Sequence, residues 1–217
     1  MLDSPNQQNR LIQGDCIQEL KSLASDSVDF ILTDPPYGND TVYGTTKRTI
    51  KGDESPLLGL FAVEACYRIL KKNKTLVCFM EMKHQWLFDT FIRRYTDYKI
   101  RDYVIWNKKY IGMGYGFRKQ YELMMVLEKG TAKYENHGFP NLITVAREPT
   151  PYHPHTKPDP LLEKLIGHCS QPGDLVLDPF MGSGSTGVTC KRMGRAFIGI
   201  ELDEGHFNTS VQRIGEA

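Results

Sequence analysis

Asp174-Leu175-Val176-Leu177-Asp178-Pro179-Phe180-Met181-Gly182-Ser183-Gly184-Ser185-Thr186-Gly187 is the stretch on which the fold turns. An apolar run ends in Asp-Pro, passes through a Gly-rich turn and enters a helical pattern at Ser185–Met193. That succession is strand, turn and helix. Gly182, Gly184 and Gly187 satisfy the G-x-G-x-x-G spacing, which taken alone reads as a dinucleotide site. Only one further strand-like run, Ala196–Ile200, follows, whereas a dinucleotide domain needs several strands after its fingerprint. The sheet must therefore be completed by strands that come earlier, in permuted order.

Upstream, short β-like runs stand at Arg10–Gln13, Val28–Thr33, Thr75–Met80, Tyr98–Trp106 and Glu122–Glu128. Helical patterns alternate with them at Cys16–Leu23, Pro56–Leu70, Gln85–Arg94 and Pro160–Cys169, and a last one lies at Glu204–Ile214. Strands alternating with helices predict an α/β fold: a mixed, mostly parallel sheet of about seven strands with helices on both faces. The 217 residues suit a single domain, and 40% hydrophobic content suffices for a buried sheet. No apolar run reaches the length of about 18 residues that would span a membrane, and the first ten residues are polar. A soluble, cytoplasmic protein is expected. Five scattered cysteines contain no C-x-x-C pair, so neither a zinc knuckle nor a disulfide framework is indicated. A net charge of +1 decides nothing about partners; the basic pairs Lys47-Arg48, Lys108-Lys109 and Arg118-Lys119 are more informative, because they sit in loops.

A second motif, Asp34-Pro35-Pro36-Tyr37, follows the apolar run Val28–Leu32 directly. In an open α/β sheet the carboxyl ends of the strands face the ligand crevice. Two successive prolines fix φ and offer no N–H, so the turn is stiff and its carbonyls point outward. Asp34 supplies an acceptor, Pro35 a backbone carbonyl and Tyr37 a flat ring. That set suits a planar heterocycle bearing an NH2 group. A Pro-rich turn with a capping Asp is the bland alternative, and it weakens once a second motif stands at another strand end of the same chain.

With both motifs in hand, the chain resembles the β-group of amino-DNA methyltransferases, in which the base-holding tetrapeptide precedes the cofactor loop. The resemblance extends to Gly14-Asp15-Cys16, to His153-Pro154-His155-Thr156-Lys157-Pro158 and to Gly199-Ile200-Glu201-Leu202-Asp203. It implies a permuted Rossmann-like methyltransferase fold and S-adenosyl-L-methionine as cofactor. It also implies a single domain over residues 1–217, with a catalytic half over 10–128, a recognition stub over 129–156 and a cofactor half over 157–217. Asp34, Pro35, Pro36 and Tyr37 are then the catalytic turn. The cofactor residues are Asp15, Cys16, Lys157, Asp178, Pro179, Phe180, Gly182, Gly184, Thr186 and Glu201.

The implied reaction is methylation of the N6 amine of a flipped-out adenine in DNA, with Asp34 and the Pro35 carbonyl accepting the amine hydrogens. N4-cytosine methylation uses the same geometry. An initial Asp in the tetrapeptide leans towards adenine within the family. A non-catalytic DNA-binding subunit is the rival from another class. Ring-carbon methylation is excluded, since no Pro-Cys dipeptide is present to supply a nucleophile. Relatives often insert a recognition domain between the positions of Glu128 and His153, where this chain has only about two dozen residues. DNA contacts are therefore expected from Lys47, Arg48, Lys51, Lys108, Lys109 and Arg118, with a second subunit and a cognate restriction endonuclease left open as partners.

Some residues have plainer readings. Asp15 also suits the N-cap of a helix, Lys157 a surface position, and Phe117, Arg118 and Tyr121 a core edge with a solvated cation. His153 and His155 form an H-x-H without Cys or carboxylate companions, so no metal is expected.

Overall fold

Val176 and Leu177 pair in parallel with Phe30 and Ile31, so the two motif-bearing strands are immediate neighbours. The computed structural model describes residues 9–38, 55–112, 115–147 and 156–217. Its strands are β1 (Arg10–Gln13), β2 (Val28–Thr33), β3 (Leu70–Met80), β4 (Lys99–Asn107), β5 (Tyr121–Lys129), β6 (Leu142–Thr144), β7 (Leu175–Asp178) and β8 (Ala196–Glu201). The helices are α1 (Cys16–Ser22), α2 (Leu57–Ile69), α3 (Gln85–Tyr95), α4 (Asp159–Cys169), α5 (Ser185–Arg192) and α6 (Glu204–Glu216), with a 3-10 turn at Met82–His84. The sheet order is β1-β8-β7-β2-β3-β5-β4-β6, and only β5 runs against its neighbours. The order is permuted, as the lone strand after the Gly loop requires: β1, first in the chain, completes the edge beyond β8.

Alternation along the central strands builds the two faces. Ile31 of β2 and Leu76, Cys78 and Met80 of β3 pack with Leu20, Leu60, Ile69, Phe88 and Ile92 of α1 to α3. Phe30 and Leu32, with Val77 and Phe79, pack with Leu161, Leu165, Val188 and Ile214 of α4 to α6. Successive side chains of a strand point to opposite faces, so one apolar run feeds two cores. Connections leave β2 towards β3 and leave β7 towards β8, in opposite directions. The crevice of an open sheet forms at such a switch point, outside the carboxyl ends of the strands.

Two features go beyond the sequence expectation. The sheet has eight strands rather than about seven, because Leu142–Thr144 pairs in parallel with Ile105–Asn107 inside the stretch read as a recognition stub. Three residues are too few to display a period. The Trp106 indole N–H donates to the Val145 carbonyl at 2.8 Å, and His168 lies between the rings of Tyr134 and Phe139, which fastens this stretch to the sheet edge and to α4. In addition, β3 starts at Leu70 rather than Thr75, directly from α2. Lys71 and Lys74 there pair with buried Asp29 at 2.8 and 3.2 Å, so a polar segment is held in the sheet by ion pairs rather than by apolar burial. Among the described residues no helix is long and apolar enough to cross a membrane.

Candidate active site

The switch point holds a cleft of about 230 Å³, and the turns after β2 and β7 form its opposing walls. Asp34, Pro35, Pro36 and Tyr37 line one side; Asp178, Pro179, Phe180 and Gly182 line the other. Asp15 and Cys16, at the start of α1, and Glu201, at the end of β8, close a third side, while Lys157 and Thr186 also face in. A second cleft of about 260 Å³ lies between α1, α2 and the end of α3. Its Arg68 already donates to the Leu20 carbonyl at 2.9 Å and to the Ser25 hydroxyl at 3.0 Å, and no comparable set of acceptors or glycines faces it.

Asp34 is held at both oxygens: the Tyr37 hydroxyl donates to Oδ1 and the Lys157 ammonium to Oδ2. Each oxygen keeps a further lone pair for an incoming donor. Lys157 is buried, with its Nζ 4.7 Å from the Phe79 ring centroid and 3.2 Å from Oε2 of Glu122. Burial disfavours its charge, but Asp34 and Glu122 outweigh burial and hold the ammonium protonated well above the usual range. Glu122 also accepts from Lys108 at 3.2 Å. Burial opposes the Glu122 charge too, and the two lysines overcome it, holding the carboxyl well below the usual carboxylate range.

On the other wall, Asp178 Oδ2 accepts from the Thr186 hydroxyl at 2.8 Å and Oδ1 from the Phe180 N–H at 3.1 Å. This pins the turn between β7 and α5. Burial, with some repulsion from Asp34 and Glu201, pushes the Asp178 carboxyl up to about 7 despite these donors. The Glu201 carboxylate accepts from the Gly182 N–H at 2.9 Å and the Asp203 N–H at 2.8 Å, tying the ends of β7 and β8 together. Gly182 has φ 52° and nothing within 4 Å of where a Cβ would stand, so its backbone is open to a ligand. Ser185 and Thr186 bring the N-terminus of α5 into the cleft, an end that favours anions.

Asp178 makes folding stability pH-dependent. Ionised near 3.8 in the unfolded chain and near 7 in the fold, it contributes stability fully below the lower value and loses it as pH rises through about 7. Between pH 5 and 8 the loss should be on the order of 3 kcal/mol. Asp178→Asn, which carries no charge, should flatten that dependence; urea unfolding of both proteins at the two pH values, without cofactor, measures it. Parallel pH dependences in the two proteins would show that Asp178 ionises without penalty.

Gly184 departs from the expectation. It does not line the cleft; with φ 83° it lies against α6, where a Cβ would stand 2.8 Å from the Ser210 Cβ. Asp15 does two things at once: it lines the cleft, and its Oδ1 caps α1 by accepting from the Gln18 N–H at 3.0 Å. The Cys16 thiol is pushed up to about 12, mainly by burial, and stays protonated. Lys108, expected at DNA, turns inward to Glu122 and lies 5.8 Å from the Trp106 ring. Lys109 and Arg118 are exposed on the loop between β4 and β5, while Lys47, Arg48, Lys51, His153 and His155 lie outside the described residues. The residue that sequence reading passed over is Glu122. Its only signal was a carboxylate directly ahead of the apolar run Leu123–Leu127.

A family profile described as DNA methylase, covering N6 and N4 methyltransferases, matches residues 28–150 and 138–212. "Putative methylase YubD" of Escherichia coli K12 is 33% identical over 210 residues, covering 95% of this chain and 90% of that protein. DNA adenine methyltransferase YhdJ of the same organism is 28% identical over 253 residues, 98% of this chain and 84% of its own length. Among solved structures, M1.HpyAVI superposes with a TM-score of 0.74 at 25% identity, over 94% of this chain and 98% of that one, and is also known as a complex with SAM. The cytosine-N4-specific PvuII DNA methyltransferase superposes with a TM-score of 0.76 at 16% identity, over 95% of this chain and 88% of that one, a likeness of fold alone.

Proposed function

The chain belongs to the DNA methylase family of N6/N4 amino-methyltransferases, and from that membership we propose that it methylates the N6 amine of a flipped-out adenine, with S-adenosyl-L-methionine as methyl donor. The observation that carries the proposal is the meeting of two turns in one cleft. A stiff acceptor turn at Asp34–Tyr37 faces a glycine-open turn at Asp178–Gly182 across adjacent strands.

The donor set fits the cofactor. The N-terminus of α5 suits its carboxylate, Glu201 its ribose hydroxyls, and the flank formed by Asp15, Cys16 and Phe180 its adenine. Bound there, the cofactor supplies an electrophilic methyl group. The chain's own residues prepare the amine. Its lone pair is delocalised into the base, so it is a poor nucleophile. Asp34 and the Pro35 carbonyl accept its two hydrogens and favour a pyramidal nitrogen. Positive charge grows on that nitrogen as the N–C bond forms, and the Asp34 carboxylate stabilises it most at the transition state. The methylated amine is acidic enough to release its proton afterwards. A base in a duplex must first leave the stack, with Tyr37 offering a flat surface beside the acceptors.

Adenine is favoured over cytosine by Asp at the head of the tetrapeptide, and the name of YhdJ agrees. Incubating the protein with unmethylated DNA and cofactor, then digesting and weighing the nucleosides, should give N6-methyladenine. N4-methylcytosine would overturn the base assignment, and no methylated nucleoside would overturn the activity. Partners beyond DNA, a second copy of the chain and a cognate endonuclease, rest on the sequence resemblance alone.

DNA contact is assigned to the loop between β4 and β5. It is braced by the Gly112 N–H donating to the Lys119 carbonyl at 2.8 Å, by Arg118 Nε donating to the Gly112 carbonyl at 2.6 Å, and by a Lys119–Glu81 ion pair. Tyr115 and Phe117 project from it fully exposed, a disposition suited to stacking on bases. Lys109→Gln with Arg118→Gln should weaken binding on all sequences alike and reduce the salt slope by about 2, since phosphate contacts position DNA without reading it. Lys108→Gln should leave the slope unchanged. Titrations over a range of salt concentrations measure both, and a slope change in Lys108→Gln as large as in the double variant would refute the division.

A further inference from the structure

Four charges stand in a row at the cleft, Asp34, Lys157 and Glu122 lining it and Lys108 behind them. Signs alternate along it. Lys157 reaches Asp34 on one side and lies 3.2 Å from Glu122 on the other, while Glu122 lies 3.2 Å from Lys108. The side chains of Lys108, Glu122 and Lys157 are each less than a fifth exposed, so none of the three is screened well by solvent. Removal of one member of such a row leaves its neighbour uncompensated.

An ammonium bound directly to Asp34 has two opposed effects. It fixes the carboxylate, which fits the task of aiming two lone pairs at an amine. It also lowers the negative potential at the place where a positive charge is to develop. A second carboxylate beside Lys157 offsets part of that loss, and Glu122 is the carboxylate in that place.

We propose that Glu122 is a positioning residue for the methyl transfer: by sharing Lys157 with Asp34 it lets the lysine orient the Asp34 carboxylate without cancelling its charge. The proposal rests on the reading of Asp34 as the acceptor of the amine. Lys108, 3.2 Å from Glu122 on its other side, together with Lys157 keeps that carboxylate ionised against burial. Burial, then the Asp34 charge and then that of Glu122, hold the Tyr37 hydroxyl protonated.

Glu122→Gln keeps the shape and removes the charge. The variant should melt as a folded protein and bind S-adenosylmethionine, by calorimetry, within about twofold of wild type, while kcat falls about tenfold or more. Glu122→Asp, which restores the charge, should recover most of that loss. A kcat within twofold of wild type, or a defect confined to cofactor affinity, would overturn the proposal. If Glu122→Gln fails to fold, the double variant Glu122→Gln with Lys108→Met removes the lysine left without its carboxylate and carries the same test. Asp34→Asn run in parallel separates the two readings. An active Asp34→Asn defeats the assignment of Asp34 itself, whereas an inactive Asp34→Asn beside a fully active Glu122→Gln defeats only the role of Glu122.

Discussion

Asp34→Asn should bind S-adenosylmethionine almost as tightly as wild type and turn over about 10²–10³-fold more slowly. The substitution keeps an oxygen where Lys157 donates and changes no volume, so the Lys157–Glu122 pair and the stiff Pro35-Pro36 turn should persist. What disappears is the negative charge facing the amine, which matters mainly once positive charge has built up on nitrogen. An interaction made chiefly in the transition state lowers kcat and kcat/KM together and spares ground-state binding. Calorimetry and single-turnover methylation on one preparation test the split. Turnover within tenfold of wild type would show that another group holds the amine.

Gly184→Val should lower the urea unfolding midpoint far below that of wild type. At φ 83° any side chain costs about 1–2 kcal/mol. Here a Cβ would also stand 2.8 Å from the Ser210 Cβ and 3.1 Å from the Ile214 Cδ1, and valine adds two methyl groups to that overlap. Overpacking of a buried contact adds roughly 1–3 kcal/mol. A total loss of about 2–5 kcal/mol is a large part of the stability of a typical domain. Gly182→Ala is the control, because nothing stands near its added Cβ. It should keep most of the stability and lose cofactor affinity, since the methyl group projects where a ligand would approach the backbone. Urea midpoints and calorimetry on both variants separate the roles, and a Gly184→Val midpoint equal to that of wild type would refute the packing argument.

The contrast between these glycines shows where sequence reading stopped. G-x-G-x-x-G marks the turn, and the turn is there, but spacing does not distinguish a glycine open to a ligand from one pressed on a helix. Gly187 is of the second kind too: its Cβ would meet the Ile214 Cδ1 at 2.5 Å. The partners in α6 lie more than twenty residues further along, and no local pattern announces them. Lys108 is similar. As one of a basic pair in a loop it was expected at DNA, yet Glu122, paired with Trp106 on the neighbouring strand, turns it inward.

Local physics determined a good deal from the sequence alone. Short β-like runs gave the extents of β1 and β2 without revision, and β2, buried along its whole length, reads as a nearly continuous apolar run. The permuted order followed from counting strands after the Gly turn, and the two motifs were legible because proline and glycine constrain the backbone where they stand. Tertiary structure alone decided which side chains meet. Asp34 and Lys157 are 123 residues apart in the chain, and their contact exists only because β2 lies beside β7 and β3 beside β5. It likewise recruited Glu122, turned Lys108 away from solvent and drew Leu142–Thr144 into the sheet edge. Backbone propensity is a property of neighbours in sequence, whereas a buried charge takes whichever partner the sheet brings within reach.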